Sequence, residues 1–185
     1  MRKSDSSFKR VAVNLSPRHF ASPELLDGIK MCLREAQVRP GTLQLGITAR
    51  VAMANPDQTA SILSQLRRLE VTTAIDDFGT GTISLSALRH FAADVLKISR
   101  TLVASMQADR ASQDVVDLIV MLAGKLKCEV VAQGIEKPTQ LERLRALGCN
   151  FAQGCFLSSP LAPEAVEQFL HQEARSDGVS TTGIV

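Results

Sequence analysis

Short β-branched apolar runs alternate along the chain with segments whose apolar residues recur every three or four positions. The runs VAVNL (11–15), LQLGIT (43–48), TTAID (72–76), VLKIS (95–99), EVVAQ (129–133) and FAQG (151–154) predict six strands, the first of them buried. After the first run, Leu25, Ile29, Cys32, Leu33 and Ala36 share one helical face. Ser22 is placed to cap that helix, Pro23 to open it, and Pro40 with Gly41 to stop it. Ile62, Leu63, Leu66 and Leu69 mark the next helix, and Leu85, Leu88 and Phe91 a shorter one. Val115, Leu118, Ile119, Leu122 and Leu126 predict the apolar face of a long helix, and Leu141, Leu144 and Leu147 that of a helix ended by Gly148. A last helix is expected from near Pro163, presenting Val166, Phe169 and Leu170, with a disordered tail over 175–185.

Strand and helix in strict alternation, joined by short links, predict parallel strands in βα units. The fold class is α/β, either a (β/α) barrel or an open doubly wound sheet. Polar residues at the strand ends favour the barrel: Asn14, Asp76 with Asp77, Lys97, Gln133 and Gln153. A barrel gathers its chemistry at the C-terminal mouth from several strands, whereas an open sheet concentrates it at one crevice.

Composition narrows the function. At 185 residues the chain can form one domain with a real core. A net charge of +2 without Trp or Tyr supplies neither a basic stripe nor stacking platforms, so a nucleic acid polymer is not an expected partner. Cys32, Cys128, Cys149 and Cys155 form no CxxC pair and are expected as small buried hydrophobes in a reduced cytoplasm. Met31, Met53, Met106 and Met121 are expected as core filler. MRKSDSSFKR lacks the apolar stretch of a secretory signal, and VVDLIVMLAGKL is too short to span a bilayer.

The segments VAVNLSPRHF, AIDDFGTGTISLSALR, VLKISRTLV, VVAQGIEKPTQLERLRALGCNFAQGCF and SSPL together resemble the EAL domain, from about Val11 to Leu170. That family includes bacterial phosphodiesterases that linearise cyclic di-GMP. The resemblance implies a TIM-like (β/α) barrel, here incomplete, with about six βα units and the first units missing. It divides the chain into an N-terminal extension (1–10), a truncated domain (11–174) and the tail. It also implies two divalent ions, Mg²⁺ or Mn²⁺, that activate water and clamp the reacting phosphate. By the same resemblance Asn14, Asp76 and Asp77 correspond to metal ligands, Lys97 to the lysine that positions the water, and Glu136 and Gln153 to residues near the substrate. Phe78, Gly79, Thr80 and Gly81 correspond to a loop that takes part in dimer contacts.

Departures from the family pattern change the expected function. The EAL tripeptide is absent. Gly46 and Ala49 stand where the family has glutamates, Gln133 replaces another, and Ser99 replaces an acid. Too few anionic oxygens then remain for two divalent ions. The expectation is a degenerate, non-catalytic member with no cofactor, acting as a homodimer or with another signalling protein. The alternatives are a metal-independent cyclic di-GMP receptor, or a residual phosphodiesterase that would need Mg²⁺ or Mn²⁺. Plainer roles stand beside these. The paired aspartates could cap the next helix, Lys97 could be their ion-pair partner, and Asn14 could satisfy a turn.

Overall fold

The structure is a computed structural model; it describes residues 10–37, 39, 41–81, 83–162, 164–166, 168 and 183–184. The elements are β1 (Val11–Asn14), α1 (Pro17–Phe20), α2 (Leu25–Glu35), β2 (Leu43–Thr48), α3 (Ala49–Ala54), α4 (Pro56–Arg68), β3 (Thr72–Phe78) and α5 (Leu85–Phe91). There follow β4 (Val95–Ile98), α6 (Arg100–Ser105), α7 (Arg110–Leu126), β5 (Glu129–Gln133), α8 (Pro138–Ala146), β6 (Phe151–Gln153) and β7 (Gly183–Ile184). The strands lie in sequence order in one sheet, and every neighbouring pair is parallel. All six runs expected as strands are strands. The expected last helix and tail fall outside the described residues, apart from Glu164–Val166, Gln168 and the β7 backbone paired to β6.

Alternation along each strand sends successive side chains to opposite faces. On one face Leu45, Ile47, Ile75, Leu96, Ile98, Val130, Ala132 and Ala152 join the helices in one continuous core. On the other, Ala74, Val95 and Val131 form a separate small cluster, with Phe151 packed against it. The sheet curls around this second face. Flat neighbouring strands sit about 4.8 Å apart, which would hold β1 and β5 roughly 19 Å from each other. Yet Arg10, at the entry to β1, ion-pairs with Glu129 at the start of β5. The Arg10 guanidinium also lies 5.8 Å from the centre of the Phe151 ring on β6. The result is a half-barrel, concave inside and helix-clad outside.

Several local expectations need correction. β1 is not buried: as an edge strand with one neighbour it leaves Val11 and Val13 exposed. Ser22 does not cap α2, which begins at Leu25. Its hydroxyl accepts instead from the Glu24 N–H at 3.3 Å, and its carbonyl from the Leu25 N–H at 3.2 Å, closing a turn ahead of the helix. Of the cysteines only Cys149 is buried, where desolvation pushes its thiol up to about 11; Cys32 and Cys155 are exposed and Cys128 is half-buried. Met106 is core, but Met31 and Met121 are exposed. The core face of α7 is Val116, Ile119 and Ala123, so Val115 and Leu118 turn outward. That helix is apolar on more than one side, and periodicity alone could not choose among its faces.

Candidate functional site

The C-terminal ends of β1 to β4 place their polar residues on the concave face. Register sets Asn14 beside Gly46, Gly46 beside Ala74, and Thr48 beside Asp76. The β3–β4 register then slips: Ile75 pairs with Leu96, but Phe78 pairs with Ile98. Asp76 and Asp77 therefore both oppose Lys97, a β-bulge of the kind that re-aims side chains beside functional sites. Asp77 carries the distortion in a left-handed conformation, φ 54°. The bulge turns Asp76 inward and buried and leaves Asp77 exposed.

Among the described residues Asp76 has two partners. Its Oδ2 accepts from the Lys97 ammonium at 3.4 Å, with both side chains almost wholly buried, and its Oδ1 accepts the Asp77 N–H at 2.8 Å. This ion pair matches the plainer role considered for Lys97. The aspartates do not cap α5; Ser84 does, accepting the Ala87 N–H at 3.1 Å. Asn14 and Asp76 converge above Gly46. A Cβ built on that glycine would lie 2.7 Å from Asn14 Oδ1 and 3.6 Å from Asp76 Oδ2. The space for a longer side chain at position 46 is thus held by the Asn14 amide.

The remaining candidates are dispersed or engaged elsewhere. Glu136 follows β5 and is half-exposed, its Oε1 accepting from Arg100 Nη2 at 2.7 Å. Gln133 is half-buried and Gln153 exposed, side by side in register at the ends of β5 and β6. Ser99 is spent as the N-cap of α6, accepting the Leu102 N–H at 3.3 Å. Ala49 is buried in the first turn of α3, which Thr48 caps. Among the described residues, no three His, Cys, Asp or Glu side chains come together as a metal-binding group.

The loop after the aspartates is tied to the helices behind it. Phe78 packs on the convex core, Thr80 Oγ1 donates to the Asp77 carbonyl at 2.8 Å, and Gly81 lies open. Gly79 is left-handed at φ 97°, and a Cβ there would come within 2.7 Å of Leu102 on α6 and 3.4 Å of Ile119 on α7. One participant escaped the sequence reading: Arg100, which reaches back over Gly134 to hold Glu136. Its signal was Gly134 itself, whose built Cβ would collide with Arg100 Cγ at 2.2 Å.

The family profile described as "EAL domain" matches residues 1–160. The chain is 38% identical over 161 residues to the cyclic di-GMP phosphodiesterase NbdA of Pseudomonas aeruginosa, covering 87% of this chain and 21% of NbdA. The solved complex of the PaMucR phosphodiesterase with c-di-GMP superposes with a TM-score of 0.83 at 38% identity, covering 85% of this chain and 64% of that one. The EAL domain of Mycobacterium smegmatis DcpA also gives a TM-score of 0.83, at 30% identity, covering 88% and 73%. The chain spans about a fifth of the length of the curated relatives it matches.

Proposed function

The chain belongs to the EAL domain family, and from that membership we propose that it serves cyclic di-GMP signalling as a non-catalytic member that works through protein interaction. The observation that carries this reading is Gly46 beneath Asn14 and Asp76. At the point where the strand ends converge, the chain offers no carboxylate from β2, and Asp76, the one buried carboxylate among the described residues, is already paired with Lys97.

The donor set does not fit a pair of divalent ions. Mg²⁺ demands near-octahedral oxygen coordination, and two such ions need several carboxylates to balance their charge. Asp76 would have to exchange Lys97 for a metal, Asp77 stands outside on the bulge, and Glu136 is held by Arg100. No step through bound metal is therefore assigned to this chain. Its residues order the mouth instead: Lys97 fixes Asp76, Asp76 fixes the Asp77 backbone, and Gly79 seats the loop on α6 and α7.

The test is turnover of cyclic di-GMP by purified protein in Mn²⁺, followed by chromatography of the linear product. The expected result is none above the buffer control. Product formation that scales with protein and is lost in Asp76→Asn overturns the reading.

A further inference from the structure

Helices α4 and α8 end in the same hydrogen-bonding motif, and α4 breaks its residue rule. At the end of α8 the Gly148 N–H donates to the Arg145 carbonyl and the Cys149 N–H to the Leu144 carbonyl, both at 3.0 Å. At the end of α4 the Glu70 N–H donates to the Arg67 carbonyl at 2.9 Å and the Val71 N–H to the Leu66 carbonyl at 3.1 Å. The residue after the cap is left-handed in both, φ 85° at Gly148 and φ 57° at Glu70. Glycine is the usual occupant of that position. Glu70 is disfavoured there twice, by its Cβ and by a carboxylate at the negative end of a helix. Residues that break local rules without a compensating contact mark strained or functional sites.

Glu70 lines a surface cavity of about 220 Å³ at the N-terminal ends of β2 and β3, the end of the sheet opposite the mouth. Arg34 and Arg39 stand on its other walls, with Leu33, Leu43 and Leu69 half-buried between them. The Gly41 N–H donates to the Glu70 carbonyl at 2.9 Å and ties the entry of β2 to this rim. Two guanidiniums and a carboxylate thus share one cavity. Among the described residues none of those three side chains takes part in an ion pair or a hydrogen bond. Arg34 has an ordinary reason to be there, as the basic residue in the last turn of α2. Glu70 has none.

The walls form a complementary set. Guanidiniums donate to a carboxylate, Glu70 can accept from an ammonium, and the leucines offer an apolar floor. A free α-amino acid with an apolar side chain carries all three groups on one carbon. The cavity is smaller than the roughly 300–1,000 Å³ of pockets for drug-sized ligands, which suits so small a molecule. We infer that this cavity binds such an amino acid, its carboxylate against Arg34 and Arg39, its ammonium against Glu70 and its side chain over the three leucines. The inference goes beyond the functional reading above and stands apart from it, since no residue of the mouth takes part.

The experiment is a titration of the isotopically labelled full chain with L-leucine, followed by amide shifts in NMR. Saturable shifts are expected at Gly41, Leu43 and Glu70, with a Kd on the order of 1 mM. Isocaproate, which lacks the ammonium, and isoamylamine, which lacks the carboxylate, should each bind about tenfold more weakly. Glu70→Gln and Arg39→Gln should each weaken leucine by about tenfold. Glu70→Gly should also lose binding while its urea midpoint stays at or above that of wild type, because glycine relieves the left-handed strain. No saturable shift at those amides overturns the inference. So does isocaproate that binds as tightly as leucine, or a Glu70→Gly variant that binds leucine as wild type does. A Glu70→Gly midpoint below wild type would show that Glu70 serves the fold, and overturns it as well.

Discussion

The two faces of the sheet are built from the same strands, one residue apart, and they are stabilised by different physics. The convex face is continuous hydrocarbon: Leu45, Ile47, Ile75, Leu96, Ile98 and Val130 sit against the helices with almost no exposure. Among the described residues the concave face buries only a small apolar cluster, Ala74, Val95 and Val131 with Phe151 against it, and polar or charged groups stand around it, among them Gln44, Asp76, Lys97 and the Arg10–Glu129 pair. The convex face depends on how much surface it removes from water. The concave face depends on whether each polar group finds its partner. The same degree of burial is thus robust on one side and conditional on the other.

Breaking a single partnership on the concave side should give the largest effect. Lys97→Met leaves the Asp76 carboxylate buried and unpaired and is expected to cost about 3–5 kcal/mol in urea unfolding. The double variant Asp76→Leu/Lys97→Met should recover most of that loss, because it removes both charges. A single variant within about 1 kcal/mol of wild type would mean that water reaches the pair and that the two faces do not differ in kind. On the convex side Leu96→Ala is expected to cost about 3 kcal/mol, the ordinary loss for a buried leucine, with no second variant able to restore it by charge removal. The smallest and most discriminating change is Gln44→Leu. Gln44 is 2% exposed, and its Nε2 donor has no hydrogen-bond partner among the described residues. Its removal should stabilise the protein by about 1 kcal/mol, readable as a higher urea midpoint at unchanged slope. A loss of stability there would show that the amide is satisfied in solution.

The elements were legible because their signals are local. Six β-branched runs bounded by turn residues stand as six strands, and helices with a single apolar stripe, such as the one marked by Leu63 and Leu66, dock that stripe. Ends and faces were less legible. β1 looks like any interior strand by composition, and only its place at the sheet edge exposes Val11 and Val13. The core face of α7 was misjudged because Val115, Val116, Leu118 and Ile119 are all apolar, and the neighbours on β4 and β5 make the choice. The site divides in the same way. Asn14, Asp76, Asp77 and Lys97 could be marked from their place at strand ends, and an ion pair between Lys97 and the aspartates was one reading, but which aspartate it takes depends on the bulge.

The order of residues by itself determined the alternation of strand and helix, the parallel sheet that follows from it, and the absence of acidic side chains at positions 46, 49 and 133. These depend on intrinsic preference and on which atoms a side chain possesses. The tertiary structure alone decided that Lys97 neutralises Asp76, that a bulge parts Asp76 from Asp77, that Arg100 takes Glu136 and that Arg10 spans the half-barrel to Glu129. Each of those contacts joins residues whose separation is set by strand register and sheet curvature, and both emerge only when the whole sheet is assembled.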